Sequence, residues 1–195
     1  LIGQGTYGCA YHPGFTCSGK IRKDTNYVSK LVVNNEDTQR EILIGKKIRQ
    51  IKNYSSYFAG IVDSCSEAVN LNTINNRYLD ECKMLSRERG SGSGFLLIYI
   101  KYIRGASLGS YFSGLDVGRG EGDYLFFYIK FLNSYYYLIN SLQILFNHGI
   151  IHQDLRNDNI MYDTKNDRPV IIDFGLSFDV SWILKILGAG SGAGS

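Results

Sequence analysis

The stretch His152-Gln153-Asp154-Leu155-Arg156-Asn157-Asp158-Asn159, followed after a short hairpin by Asp173-Phe174-Gly175, gathers carboxylates, amides and a cation in little sequence. Groups of these types suit phosphoryl transfer. That reaction needs a base for an attacking hydroxyl, oxygen ligands for a metal ion, and positive charge against the phosphates.

Such groups work only if the surrounding elements hold them. Residues 1–11 carry Gly3, Gly5 and Gly8 and predict a strand–turn–strand. Residues 27–33 are apolar and β-branched around Lys30 and predict a strand. Asn34 or Asn35 then offers an N-cap, with Glu36 and Asp37 in the first turn, where the helix dipole favours anions. The helix is expected to run to about Asn53, with Ile44, Ile48 and Ile51 as its apolar stripe. Glu41 lies on that stripe, and a carboxylate on a buried face requires a cationic partner. Residues 95–103 predict a strong strand, and a second is expected around residues 82–85. A turn and short helix follow at residues 104–108, then a glycine-rich loop at 114–122. Residues 124–146 predict a long helix buried on most sides and closed by Gly149. Residues 160–162 and 170–172 predict a hairpin.

Taken together these motifs resemble the eukaryotic-type protein kinases. The resemblance rests on Gly3-Gln4-Gly5-Thr6-Tyr7-Gly8 (G-x-G-x-x-G), Lys30, Glu41, the H-x-D-x-x-x-x-N loop from His152 to Asn159, and the D-F-G at Asp173. It covers about residues 1–178. Alone the glycine motif is weak, and Lys30 alone is an ordinary strand lysine; the ordered set carries the argument. The fold implied is α+β: a β-rich N-lobe with one helix over residues 1–103, a partial helical C-lobe over 104–187, and a Gly/Ala/Ser tail over 188–195. The activity implied is ATP- and Mg²⁺-dependent phosphorylation of Ser/Thr hydroxyls on a protein substrate. Asp154 then corresponds to the residue that orients the hydroxyl and takes its proton, and Asn159 and Asp173 to the metal ligands. Arg156 stands where a lysine usually touches the γ-phosphate. Gly3, Gly5, Gly8 and Lys30 correspond to phosphate-binding positions, and Glu41 to the glutamate that fixes the lysine. Lys101 and Ile103 fall in the segment that reads the adenine edge, with Ile100 at the gatekeeper position. His152 has no chemical role in this reading.

The chain also departs from the pattern. Gln153 replaces the arginine that commonly receives an activation-loop phosphate. Beyond Leu176 only residues 177–187 precede the linker-like tail, so the resemblance implies a domain truncated after D-F-G. Residues 7–14 are similar to kinases of large DNA viruses. Two other readings stand beside the protein kinase: a small-molecule phosphotransferase, which Gly175 and the complete glycine motif disfavour, and a non-catalytic nucleotide-binding module.

Composition sets broader bounds. The 195 residues are 44% hydrophobic and 20% charged, as in a globular chain with a sizeable core. A formal charge of +3 does not suggest a nucleic-acid partner. Lys130, Asn133, Asn140 and Gln143 interrupt the longest apolar run and argue against a membrane span. Cys9, Cys17, Cys65 and Cys82 show no C-x-x-C or metal spacing and read as reduced thiols. The localisation expected is cytoplasmic, in the host cytoplasm or the virion for a viral chain. Residues 90–94 and 188–195 have linker composition, as engineered segments would.

Overall fold

The computed structural model describes residues 1–5, 8–88, 94–115 and 121–183. The chain divides into two compact units, residues 1–46 with 60–102, and residues 47–59 with 103–195. Both mix helices and strands, and the first is the richer in sheet.

In the first unit β1 (Gly3–Gln4) and β2 (Gly8–Tyr11) form the glycine hairpin, and β3 (Tyr27–Val33) follows. Helix α1 (Glu36–Arg49) comes next, its last turn from Lys47 belonging to the second unit. The chain visits the second unit as β4 (Phe58–Ala59) and returns as β5 (Ile61–Ser64). It then forms α2 (Asn76–Leu79), α3 (Lys83–Glu88) and β6 (Phe95–Lys101). The sheet order is β1-β2-β3-β6-β5, with each pair antiparallel.

Alternation along the strands gives this sheet two apolar faces. Val32, Leu96 and Ile98 pack with Ile42 of α1 and Ile61. Cys9, Leu31, Phe95, Leu97 and Tyr99 point the other way, and residues 65–88 cover them with Val69, Ile74, Leu79, Met84 and Leu85. Asn35 caps α1, its Oδ1 accepting from the Thr38 N–H at 3.0 Å, which selects between the two asparagines. The helix stops at Arg49, short of Asn53, whose φ of 58° is left-handed.

Two expectations for this unit are corrected. Residues 82–85 are not a strand: Cys82 lies just before α3, which begins at Lys83. The cysteines are not reduced thiols: Cys9 bonds Cys82 and Cys17 bonds Cys65, leaving no free cysteine. The partners are 73 and 48 residues apart, so no local spacing could show the pairing; the sheet brings them together.

The second unit contains β7 (Gly105–Ser107), α4 (Leu108–Ser113), α5 (Glu121–Asn147), β8 (Ile150–Ile151), β9 (Ile160–Asp163), β10 (Arg168–Ile172) and β11 (Phe178–Asp179). Its main sheet runs β4-β10-β9-β7, with β4 parallel to β10 and the other pairs antiparallel. β8 and β11 pair as a separate antiparallel ribbon. Residues 105–107, expected as a turn, are a strand on β9, and the Ser107 hydroxyl caps α4. Gly149 closes α5 at φ 66°, a left-handed position that glycine adopts without strain.

Helix α5 is not buried on most sides. Among the described residues Ser134, Leu138, Ser141 and Leu145 form its buried stripe, at helical spacing. Leu125, Leu132, Tyr136 and Phe146 are 61–71% exposed. Small serines let the helix lie close to its support, and so narrow a stripe leaves the other faces open. Among the described residues no helix is long and apolar enough to cross a membrane. The expected linkers at 90–94 and 188–195 and most of the 114–122 loop lie outside the described residues, although Gly94 is described and Gly122 lies within α5.

Candidate functional site

In the first unit Lys30 lies on the α1-facing side of β3, and its Nζ is 3.2 Å from Glu41 Oε1. Both side chains are largely buried, at 15% and 7% exposure. The pairing answers the question that Glu41 on an apolar stripe raises in the sequence.

The three motif glycines differ in what they are for. A Cβ on Gly8 would lie 2.7 Å from the Leu31 carbonyl oxygen and 2.9 Å from Val32, so sheet packing alone demands glycine there. A Cβ on Gly5 would meet nothing within 4 Å among the described residues, and one on Gly3 would only touch Ala10 at 3.9 Å. Glycine at position 5 therefore suits close approach of a bound group. Gly8→Ala is expected to lower the melting temperature, whereas Gly5→Ala leaves it unchanged. Calorimetric unfolding of the two variants checks this split. Lys101 is half-buried at the end of β6, opposite Tyr27, and Ile103 is a buried residue where the chain enters the second unit. The Tyr102 N–H between them donates to the Asn26 carbonyl at 2.7 Å.

In the second unit the segment from His152 to Asn159 links β8 to β9 and ends in a 3₁₀ turn, Asn157–Asn159. His152 anchors it. The Asp154 N–H donates to Nδ1 at 3.3 Å, so Nε2 carries the hydrogen and donates to the Ile172 carbonyl at 3.0 Å. Burial pushes the imidazole below its ordinary pKa of 6.5, against opposing effects of that carbonyl and of Asp173 and Asp154. The ring is thus neutral and structural, packed edge-on against Phe174 with centroids 4.9 Å apart. Its contribution to stability is lost as pH falls from 6.5 through the lowered value, because the unfolded chain binds the proton more readily.

Asn159 is buried, and its Nδ2 donates to Asp154 twice, to the main-chain carbonyl at 2.8 Å and to Oδ2 at 2.7 Å. The amide nitrogen fixes the carboxylate and leaves the amide oxygen as an acceptor. Arg156 approaches Asp154 at 3.6 Å and Asp158 at 3.7 Å and is 62% exposed, so it can turn toward a ligand at little cost. Asp173 and Gln153 have left-handed backbones, φ 57° and 62°. Non-glycine residues held so concentrate at functional sites. Asp173 Oδ1 accepts the Gly175 N–H at 3.4 Å, while Phe174 is buried against Phe58 and His152.

The donor set fits Mg²⁺. Among the described residues no group of three or more His, Cys, Asp or Glu forms a protein-only metal cage. Mg²⁺ is commonly held by one or two carboxylates plus phosphate oxygens, and Asp173 with the Asn159 amide oxygen has that composition.

No known protein-family profile matches the chain. Curated relatives do. It is 28% identical to a mitogen-activated protein kinase kinase kinase of Aspergillus fumigatus over 177 residues, 91% of this chain and 9% of the relative. It is 25% identical to a dual specificity protein kinase of Dictyostelium discoideum over 182 residues, 91% of this chain and 18% of the relative. A shorter match, 46% over 44 residues, is to a probable serine/threonine-protein kinase of the same organism and covers 23% of this chain and 8% of that protein.

The chain is similar to protein kinases. It spans less than a fifth of the length of these relatives. The similarity supports a kinase reading at a coarse level.

One pair near the kinase-like loop had no signal in the sequence. Lys47 of α1 donates to Asp179 of β11 at 2.5 Å, and Asp179 also accepts the Ser181 N–H at 2.9 Å. Burial alone would raise the Asp179 pKa; the bonds from Lys47 and Ser181 hold it below the ordinary 3.8. The pair's contribution is complete above that value and is lost as pH falls through the lowered one. Asp179→Asn is expected to cost about 2 kcal/mol at pH 7, the worth of a charged hydrogen bond in a nearly buried setting. The deficit should shrink toward pH 2 in urea unfolding curves.

Proposed function

We propose that this chain is the nucleotide-handling part of an ATP- and Mg²⁺-dependent protein kinase that phosphorylates Ser/Thr hydroxyls. The observation that carries the reading is the double hydrogen bond from Asn159 to Asp154. It holds a half-exposed carboxylate in one orientation and keeps an amide oxygen for a metal. In the first unit, Lys30, fixed by Glu41, would bind the α and β phosphates, and the hairpin at Gly5 would approach them by its backbone. In the second, Asp173 and Asn159 would hold Mg²⁺, which when bound neutralises phosphate charge. Asp154 would orient the substrate hydroxyl and take its proton. The hydroxyl oxygen bonds the γ-phosphorus as the bond to the β–γ bridging oxygen breaks, and ADP leaves. Arg156 would offset charge on the transferred group, its planar fork replacing a point charge. The Ser/Thr preference and the protein substrate belong to this proposal.

Thermal unfolding with and without ATP and Mg²⁺ tests it. At one hundred times Kd the ligand should add about 2.7 kcal/mol. Absence of any shift would remove the nucleotide reading.

A further inference from the structure

Residues 65–88 contain no strand, only a 3₁₀ turn (Leu71–Thr73), α2 and α3, yet they pack over one apolar face of the first unit's sheet. Short helices of this kind have little stability of their own. The segment is held at both ends by sulfur. Cys65, just after β5, bonds Cys17 in the β2–β3 connection; Cys82, just before α3, bonds Cys9 in β2. The second bond lies beside the glycine hairpin, where the Lys83 N–H also donates to the Gln4 side chain at 3.2 Å.

The two disulfides sit in different surroundings. Cys9 and Cys82 are 0% and 1% exposed, out of reach of any thiol in the folded chain. Cys17 is exposed. The Tyr99 hydroxyl lies 3.3 Å from Cys17 Sγ and 3.4 Å from Cys65 Sγ; bonded sulfurs carry no hydrogen, so the hydroxyl donates. The Arg22 guanidinium stands over the Tyr99 ring, 4.6 Å from its centroid. A hydroxyl donor and a nearby cation stabilise a departing thiolate, and disulfides that are reachable and have good leaving groups exchange fastest.

We propose that residues 65–88 form a redox-latched cover, in which Cys17–Cys65 is the latch that a dithiol opens and Cys9–Cys82 is the permanent staple. Attack on Cys17 by a dithiol reductant breaks the Sγ–Sγ bond. Two electrons and two protons pass to the protein, two thiols form, and the reductant leaves as its own disulfide. Opening frees the β2–β3 connection and the start of the cover, so β2 and β3, which carry Gly8 and Lys30, lose a brace. The consequence for nucleotide rests on the kinase reading above; the latch itself does not.

The test treats the disulfide-bonded protein with graded dithiothreitol, followed by alkylation and peptide mapping, limited proteolysis and ATP/Mg²⁺ titration. Cys17 and Cys65 should be labelled well before Cys9 and Cys82. Cleavage within residues 12–26 and 65–76 should then rise, and ATP affinity should fall about 5-fold or more, the lower end of ordinary coupling between sites. Reoxidation should restore all three. The double variant Cys17→Ser/Cys65→Ser should show the opened pattern from the start and be insensitive to mild reductant. Four free thiols in untreated protein, prior opening of Cys9–Cys82, or labelling of Cys17 and Cys65 with unchanged proteolysis would overturn the latch. Ordered opening with increased proteolysis but no ATP binding in either state would support the latch and overturn the nucleotide reading.

Discussion

Asp154→Asn is expected to lower phosphate transfer by about 10²- to 10⁴-fold, the usual contribution of a positioned base, while ATP affinity and the melting temperature stay close to wild type. The fold should not notice the change. Asn159 Nδ2 can still donate to the main-chain carbonyl at residue 154 and to the side-chain oxygen of the substituted amide. The lost ion pair with Arg156 is long and exposed, worth little on any estimate. What disappears is the ability to accept a proton. Asp173→Asn serves as the contrast, since it removes charge from a proposed metal ligand and should weaken ATP binding in Mg²⁺ as well as the rate. Both variants are compared with wild type for transfer of the γ-phosphate to a generic protein substrate, with ATP binding measured in parallel. If all three bind ATP and are equally inert, the chain is a nucleotide-binding module and the catalytic part of the proposal fails.

The sequence made the polar positions of this site more legible than their packing. The resemblance to protein kinases singled out Asp154, Asn159 and Asp173 through the order of their motifs, and the structure brings Asn159 into hydrogen-bond contact with Asp154. The side of α1 that carries Glu41 was legible from helical period, and the period pointed to its need for a cation. Where packing decides, the sequence misled. Residues 124–146 look apolar on most sides, and nothing in them says that the Ser134–Leu138–Ser141–Leu145 stripe is the part that is covered. Residues 82–85 are apolar enough for a strand, but Cys82 is fixed to β2 and the chain turns into α3 from Lys83. Lys47–Asp179 and both disulfides join residues between 48 and 132 positions apart, and such pairings belong to topology. Gly8 is instructive in the other direction: its motif position suggests a phosphate contact, whereas its neighbours in the sheet already require it to be glycine.

Breaking the Lys30–Glu41 pair at either end is expected to destabilise the first unit by about 3 kcal/mol or more, and breaking both ends together by much less. Glu41→Leu leaves an ammonium largely buried at 15% exposure beside an apolar stripe, and Lys30→Met leaves a carboxylate at 7%. Neither site offers enough water to solvate the remaining charge. The double variant Lys30→Met/Glu41→Leu removes both charges and fills the space with apolar volume, the substitution that commonly restores or exceeds the stability of a buried ion pair. Stability and function should therefore part company in one cycle. Urea unfolding should rank wild type and double variant together, above either single variant, while ATP binding is lost in every variant lacking Lys30. A pair kept for the fold alone would show the reverse: a double variant as unstable as the sum of its parts, with nucleotide affinity following stability. The predicted separation, a dispensable contribution to the fold joined to an indispensable one to the ligand, is what retaining a buried charge pair on an apolar face implies, since well-packed leucine and methionine would serve the core at least as well.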